Sequence, residues 1–516
     1  MSPALSRAAR TWPLFMLLAL HACLVFGEGT EGTGITPAGY PDRTGASDIL
    51  RGFKQPPPGF GDVSFYWWLG DTLTRERLTW QMDQLAGRGV TGLQVNYAHT
   101  DTGGFSYGRT MKSAPALFSE EWWDLFRWFL GEARKRGMSV SLSDYTLGRA
   151  GQGWYVDEML RDHPELGGSK LACTEMQVQG GTRCTTVAPH GTIIASAYRV
   201  SGDTLVTGSR TDLGGFMKQN RLAWDVPEGM WKILLVHREV VPASLDPMHP
   251  LAGKEYIAKF FQRFEDRCPG EAGKGLNFFF SDELDFGIRG WLWNDIVAKE
   301  FLKRKGYDIL PELPLLFADC GPRTPKIRLD YNDVMVALSE ENFFAPIYGW
   351  HTERGMLFGC DHGGRGADVT EFGDYFRTQR WMSGPGCDQP DLARDIVKNK
   401  VASSIAHLYE RPRTWLEGYH SSGWGTSSAQ IADATFANYG MGQNLLSLHG
   451  LYYSTHGSWW EWAPPDNHFR QPYWKDMPAF LGCVERLSYL LSQGVHRCDV
   501  AVLYPVAPMV TGVRGD

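Results

Sequence analysis

The chain lacks several features that mark common function classes. Its 9 cysteines include no CxxC pair and no Cys/His cluster at zinc spacing, which argues against a structural zinc site. No N-x-S/T sequon occurs, so no N-linked glycan is expected. Basic residues are outnumbered, 51 Lys and Arg against 58 Asp and Glu, and a net charge of -7 leaves no footprint for nucleic acid. Beyond the N-terminus no apolar run is long enough to span a bilayer. Nothing in the sequence indicates an oligomeric state.

The N-terminus is distinctive. Arg7 and Arg10 precede "WPLFMLLALHACLVFG", and the small Val25 and Gly27 suit cleavage before Glu28. This predicts a signal peptide over 1–27 and a secreted, extracellular protein, without a membrane partner after cleavage. In a bacterium the periplasm or a lipid anchor at Cys23 is the alternative, and the apolar Leu24 to Phe26 disfavour the anchor. In an oxidising compartment Cys173 and Cys184 are the most local candidates for a disulfide.

With 43% hydrophobic and 21% charged residues, the remainder reads as folded. The 20 Trp, 20 Tyr and 27 Phe fit either a large aromatic core or a cleft whose rings stack on sugars. Residues 28–60 are rich in Gly, Pro and Thr and read as a linker or wrapping segment without regular structure. From 61 to 165 strand patterns ("VSFYWWLG", "VTGLQVNY", "MSVSLSDY") alternate with helix patterns, one of them capped by Ser119. Residues 166–240 lose the helical period and predict a β-rich, sandwich-like insertion after the third strand. Over 241–497 the alternation resumes, with strands at 275–285, 355–364, 374–383, "RTWLEGYH" and 443–453. No Gly-rich phosphate loop follows the first strand, so the fold class predicted is α/β, a (β/α)8 TIM-like barrel rather than an open nucleotide-binding sheet. Residues 498–516 begin with an apolar run that reads as a buried strand opening a further, truncated domain.

Catalytic groups of such a barrel stand at the C-terminal ends of its strands. Those ends carry Asp71, Asn96, His99, Asp144, Asp282, Glu283, Asp361, His362, Glu417, His420 and His449. Glu283 and Glu417 follow apolar strand segments. Glycoside hydrolysis needs such a pair, one carboxyl to protonate the leaving oxygen and one to activate water or attack the anomeric carbon. The plainer alternative is a salt bridge from each to its nearest arginine, Arg289 and Arg413. Trp68 and Trp424 are candidate sugar-stacking rings.

These residues carry a resemblance. The segments "FFSDELDFGIRGWLWNDIVAKEFLKRKGYDILPELP", "VASSIAHLYERPRTWLEGYHSSGW" and "DATFANYGMGQNLLSLHG" resemble successive motifs of glycoside hydrolase family 106, the α-L-rhamnosidase family. The start, "FYWWLGDTLTRERLTWQMDQLAGRGVTGLQV", is similar to the first βαβ unit of that family. The resemblance implies inverting hydrolysis of an oligo- or polysaccharide, with Glu283 as acid and Glu417 as base. It implies calcium near the substrate, with Asp282, Asp361 and Asn444 as oxygen donors. It places Asp144, Asp361, His362, His420 and His449 on sugar hydroxyls, with residues 456–474 as an aromatic loop over the cleft. Rhamnose specificity rests on the resemblance alone. A glycosidase of another specificity, such as a galactosidase, and an inactive carbohydrate-binding protein are the alternatives.

Overall fold

Alternation within one strand separates the two faces of the molecule. In β1 (Asp62–Trp68), Tyr66 and Trp68 join one apolar cluster, while Phe65 and Trp67 join another. Successive side chains of a strand point to opposite faces, so the two clusters lie on opposite sides of the sheet. A computed structural model describes residues 48–98, 104–105, 109–110, 112–144, 153–202, 204–456 and 463–512. The predicted signal peptide, most of the predicted linker, His99 and residues 457–462 of the predicted aromatic loop lie outside them.

The strands that follow are β2 (Val90–Tyr97), β3 (Ser139–Ser143), β4 (Leu276–Leu284), β5 (Leu357–His362), β6 (Gly386–Gln389), β7 (Trp415–Gly418) and β8 (Leu445–Tyr452). They form one sheet in the order β5-β4-β3-β2-β1-β8-β7-β6, every neighbouring pair parallel. The sheet edges, β5 and β6, approach each other: Ser383 N donates to Phe358 O at 2.6 Å. A Cβ on Gly359 would lie 2.6 Å from Gly384 O, so only glycine permits this approach.

Helices cover the outer face. In the helix Arg75–Ala86, Leu78, Met82 and Leu85 recur at helical spacing and pack into the same cluster as Tyr66 and Trp68. The helix Glu120–Lys135 starts where Ser119 Oγ accepts from Trp122 N, with two glutamates in its first turn and Arg134 and Lys135 in its last. Its Trp122, Phe126, Phe129 and Leu130 extend the cluster.

Between Gly167 and Leu245 the chain forms antiparallel sheets instead. Strands Gly167–Gln179 and Met230–Leu245 pair along their length, with Thr192–Ser201 on the other side of Met230–Leu245. A second sheet joins Arg183–Val187 to Arg221–Asp225, and Leu222, Trp224, Trp231 and Ile233 fill the space between. Cys173 and Cys184 fall in different sheets and are free thiols, so the predicted local disulfide is not formed.

Three local expectations are corrected. Residues 374–383 hold a helix, Tyr375–Gln379, because the Asp374 side chain caps it by accepting from Arg377 N at 3.1 Å. The sixth strand lies later, at Gly386–Gln389, where Trp415 O would stand 2.5 Å from any Cβ on Gly386. Ile49–Lys54 is a short helix capped by Asp48 rather than irregular chain. The apolar run after Cys498 is no buried strand: Val500, Val502 and Leu503 are exposed, and a helix, Val506–Thr511, follows.

Candidate active site

β4 and β5 end side by side and bring the first acids together. Glu283, at φ +53°, donates its backbone N–H to Asp361 Oδ1 at 2.9 Å. A non-glycine residue in the left-handed region is strained, and such strain collects at functional sites. Just past β5, the "HGGRG" loop turns Arg365 back over these acids. Its guanidinium forms an ion pair with Glu283, and its Nε lies 3.0 Å from Asp388 Oδ1 and 3.6 Å from Asp361 Oδ2. Lys398 Nζ adds a second cation 2.7 Å from Asp388 Oδ1.

The second glutamate arrives from β7. Trp415 joins the inner cluster and Leu416 the outer one, so Glu417 points inward again. Asp388 on β6 is its register partner, and His420 Nδ1 lies 3.0 Å from its Oε1. Glu417 is nearly closed to solvent, its side chain 6% exposed, whereas that of Glu283 is 27% exposed. Neither glutamate takes the arginine nearest in sequence. Arg289 holds Asp285, and Arg413 lies over the Phe60 ring.

Electrostatics tie the two glutamates to one cluster. Burial, and then the charges of Glu417, Asp361 and Glu283, push the Asp282 carboxyl well above the usual range. Burial raises Asp361 as well, with Arg365 opposing it. At Asp388 burial is outweighed by Arg365 and Lys398, which hold it below the usual range. At His420 burial is outweighed by Glu417, so its imidazole is raised. Arg365, Asp388 and Lys398 were not expected from the sequence; the only local signal was the glycine-rich loop around Arg365.

Several of the residues expected at strand ends or on substrate stand at this mouth. Asp144 is buried and accepts from the Tyr256 hydroxyl at 2.7 Å, and burial raises its carboxyl to about 7. Asn96 lies buried at the end of β2 with neither amide atom partnered among the described residues. His449 is buried and receives a hydrogen bond from Trp67 Nε1 at 3.1 Å, with the His420 ring 5.4 Å away. Burial and the neighbouring His420 charge keep it neutral. Trp424, 37% exposed, sits in the loop that follows Glu417.

Others do not. His362 points outward, since Asp361 before it points in: its Nε2 meets Thr378 Oγ1 at 2.9 Å and its ring packs on Phe344, Phe372 and Tyr375. Trp68 is displaced by the same one-residue parity. It packs under the helix Glu120–Lys135 against Phe129, and its neighbour Trp67 is the ring on the inner face.

The calcium donors do not assemble as expected. Asn444 precedes β8 at the opposite end of the sheet, with Oδ1 accepting from Thr414 N and Nδ2 donating to Pro412 O. Asp282 and Asp361 each keep a buried carboxylate oxygen without a hydrogen-bond partner among the described residues. Two such oxygens fall short of the six to eight that calcium takes. The described residues contain no group of three His, Cys, Asp or Glu arranged to hold a metal. No step below is routed through calcium.

A cavity of about 610 Å³ opens beside Glu283 and Arg365. Its lining comes from the loop after β4, the loop after β5 and the helix Val506–Thr511 and does not include Glu417.

Residues 201–514 match the family model described as alpha-L-rhamnosidase. A Formosa agariphila protein named "Putative beta-glucuronidase" is 21% identical over 528 aligned residues, covering 88% of this chain and 43% of that protein. The solved structure of a rhamnosidase from Novosphingobium sp. PP1Y superposes with a TM-score of 0.65 at 14% identity, over 87% of this chain and 61% of that one. The chain thus spans about half the length of the relatives it matches.

Proposed function

The chain belongs to glycoside hydrolase family 106, the alpha-L-rhamnosidase family, and on that premise we propose that it hydrolyses α-L-rhamnosides with inversion. The observation that carries this reading is the shared cluster. Glu283 and Glu417 enter from separate strands and act on the same buried Asp282. In the proposed reaction the Glu283 carboxyl gives its proton to the leaving oxygen. Glu417 takes a proton from water attacking the anomeric carbon from the opposite face, so the new C–O bond forms as the old one breaks. Without substrate Glu283 is paired with Arg365. To carry a proton it must leave that pair, and Asp361 and Asp388 are already positioned to keep the guanidinium.

The sugar favoured is neutral. A uronic acid needs a free cation, but Arg365 and Lys398 are both engaged by carboxylates of the site. This supports a rhamnoside over the glucuronide in the relative's name. We also infer that β5 and β6 close the sheet into a barrel, supported by the bond between Ser383 N and Phe358 O. Secretion is proposed from the apolar N-terminus. Among the described residues no helix is long and apolar enough to cross a membrane.

Incubation with an aryl α-L-rhamnoside tests the activity. Release of the aryl group supports the reading. Turnover of an aryl galactoside instead would assign another specificity, and sugar binding without turnover of any glycoside would make the chain a carbohydrate-binding protein.

A further inference from the structure

The cavity beside Glu283 has a polar side chain that the reaction above does not use. Glu371 Oε1 accepts the Gly364 N–H at 2.8 Å, and its Oε2 is buried without a hydrogen-bond partner among the described residues. The glycines of the "HGGRG" loop make room for it, since a Cβ on Gly364 would fall 2.7 Å from that Oε2. Burial raises the Glu371 carboxyl to about 7; Gly364 N opposes this, the charges of Asp368 and Asp285 add to it, and that of Arg289 opposes it. A carboxyl held neutral is a hydrogen-bond donor as well as an acceptor, which suits a sugar hydroxyl.

The other lining groups fit the same ligand. Trp291 is half-buried on the cavity wall, its ring edge-on to Tyr331, and Arg289 and Asp285 lie beside it as an ion pair. An aromatic face next to convergent polar groups is how proteins hold a pyranose ring. The far wall is the helix Val506–Thr511, through Met509 and Val510. The position decides which sugar. A general acid touches the leaving oxygen, and the cavity includes Glu283 but not Glu417.

We propose that this cavity is the leaving-group subsite and takes a second, uncharged sugar, with Glu371 hydrogen-bonded to one of its hydroxyls. The inference rests on the proposed role of Glu283 as acid. It makes the natural substrate an oligosaccharide or a glycan chain end rather than a rhamnoside of a small aglycone.

The test compares 4-nitrophenyl α-L-rhamnoside with an α-L-rhamnosyl-glucose disaccharide. For Glu371→Ala, kcat/KM on the disaccharide relative to the aryl glycoside falls at least tenfold, mostly through KM. Glu371→Gln, which keeps the shape and can both donate and accept a hydrogen bond, recovers most of that ratio. Met509→Trp narrows the cavity from the far wall without touching a carboxyl group and lowers the same ratio. An unchanged ratio in Glu371→Ala and Met509→Trp, with wild-type melting temperatures, overturns the subsite while leaving the rhamnosidase reading intact. A wild-type enzyme inactive on both substrates overturns the reading and the subsite together. Disaccharide affinity in Glu417→Gln and in Glu417→Gln/Glu371→Ala, measured by calorimetry, gives a readout independent of turnover. Equal affinities overturn the subsite.

Discussion

Asp361 Oδ1 holds the backbone N–H of Glu283 at 2.9 Å, so a side chain of one strand fixes the main chain of the next where it turns left-handed. That single bond sets the direction in which the Glu283 carboxyl leaves the sheet. It makes Asp361 a positioning residue in addition to its place in the charge cluster.

If Glu283 is the acid and Glu417 the base, the two glutamine variants differ in a diagnostic way. Glu283→Gln retains substantial activity on a dinitrophenyl rhamnoside, whose leaving group needs no proton. On a sugar leaving group it loses about 10²–10⁴-fold, the span general acid catalysis contributes. Glu417→Gln loses activity on both. Steady-state kinetics on the two substrates decide this, and equal losses in Glu283→Gln would remove it from the acid role.

Inversion predicts the β-anomer of the sugar as first product from an α-glycoside. Proton NMR within the first minutes of reaction reads this before mutarotation, and an initial α-anomer would establish retention.

Removing the Arg365 guanidinium strands the carboxylates it serves. Breaking a buried ion pair from one side costs about 3–5 kcal/mol. Arg365→Met therefore lowers the melting temperature by several degrees and abolishes activity. Arg365→Lys keeps the charge but loses the forked geometry, so it recovers stability better than activity. A wild-type melting curve for Arg365→Met would show that the cluster carries no net dependence on this cation.

Asp144 gives a pH prediction. Its folded carboxyl titrates near 7, above its ordinary value of 3.8, chiefly through burial. The folded state therefore holds a proton that the unfolded state releases, and stability falls as pH rises between those values. Asp144→Asn removes that dependence. The variant matches wild type in melting temperature near pH 4 and exceeds it near pH 8; a constant difference across the range would contradict the assignment.

The outer architecture was legible because apolar periodicity reports burial directly. Ser119 as cap, Leu78, Met82 and Leu85 at helical spacing and β2 at Val90–Tyr97 all follow from local physics. β6 was not legible, since four residues, Gly-Cys-Asp-Gln, carry no alternation, and its place depends on the backbone of Trp415 fitting over Gly386. Parity failed at two positions by a single residue: Trp68 and His362 face the helices, while Trp67 and Asp361 face inward. Arg365 escaped because its partners on β4, β5 and β6 meet only in space. Nothing in the spacing of a chain announces a cation that pairs with a glutamate 82 residues away.

The charge cluster at the mouth also divides its carboxyls between opposite tendencies. Burial pushes Asp282 and Asp361 above the usual carboxyl range, while Arg365 and Lys398 hold Asp388 below it and Glu417 raises His420. A site divided in this way favours keeping protons on Asp282 and Asp361. If Glu283 is the acid, the proton it gives to a departing sugar has a neighbouring carboxyl, Asp282, to replace it, so reloading need not wait on bulk solvent.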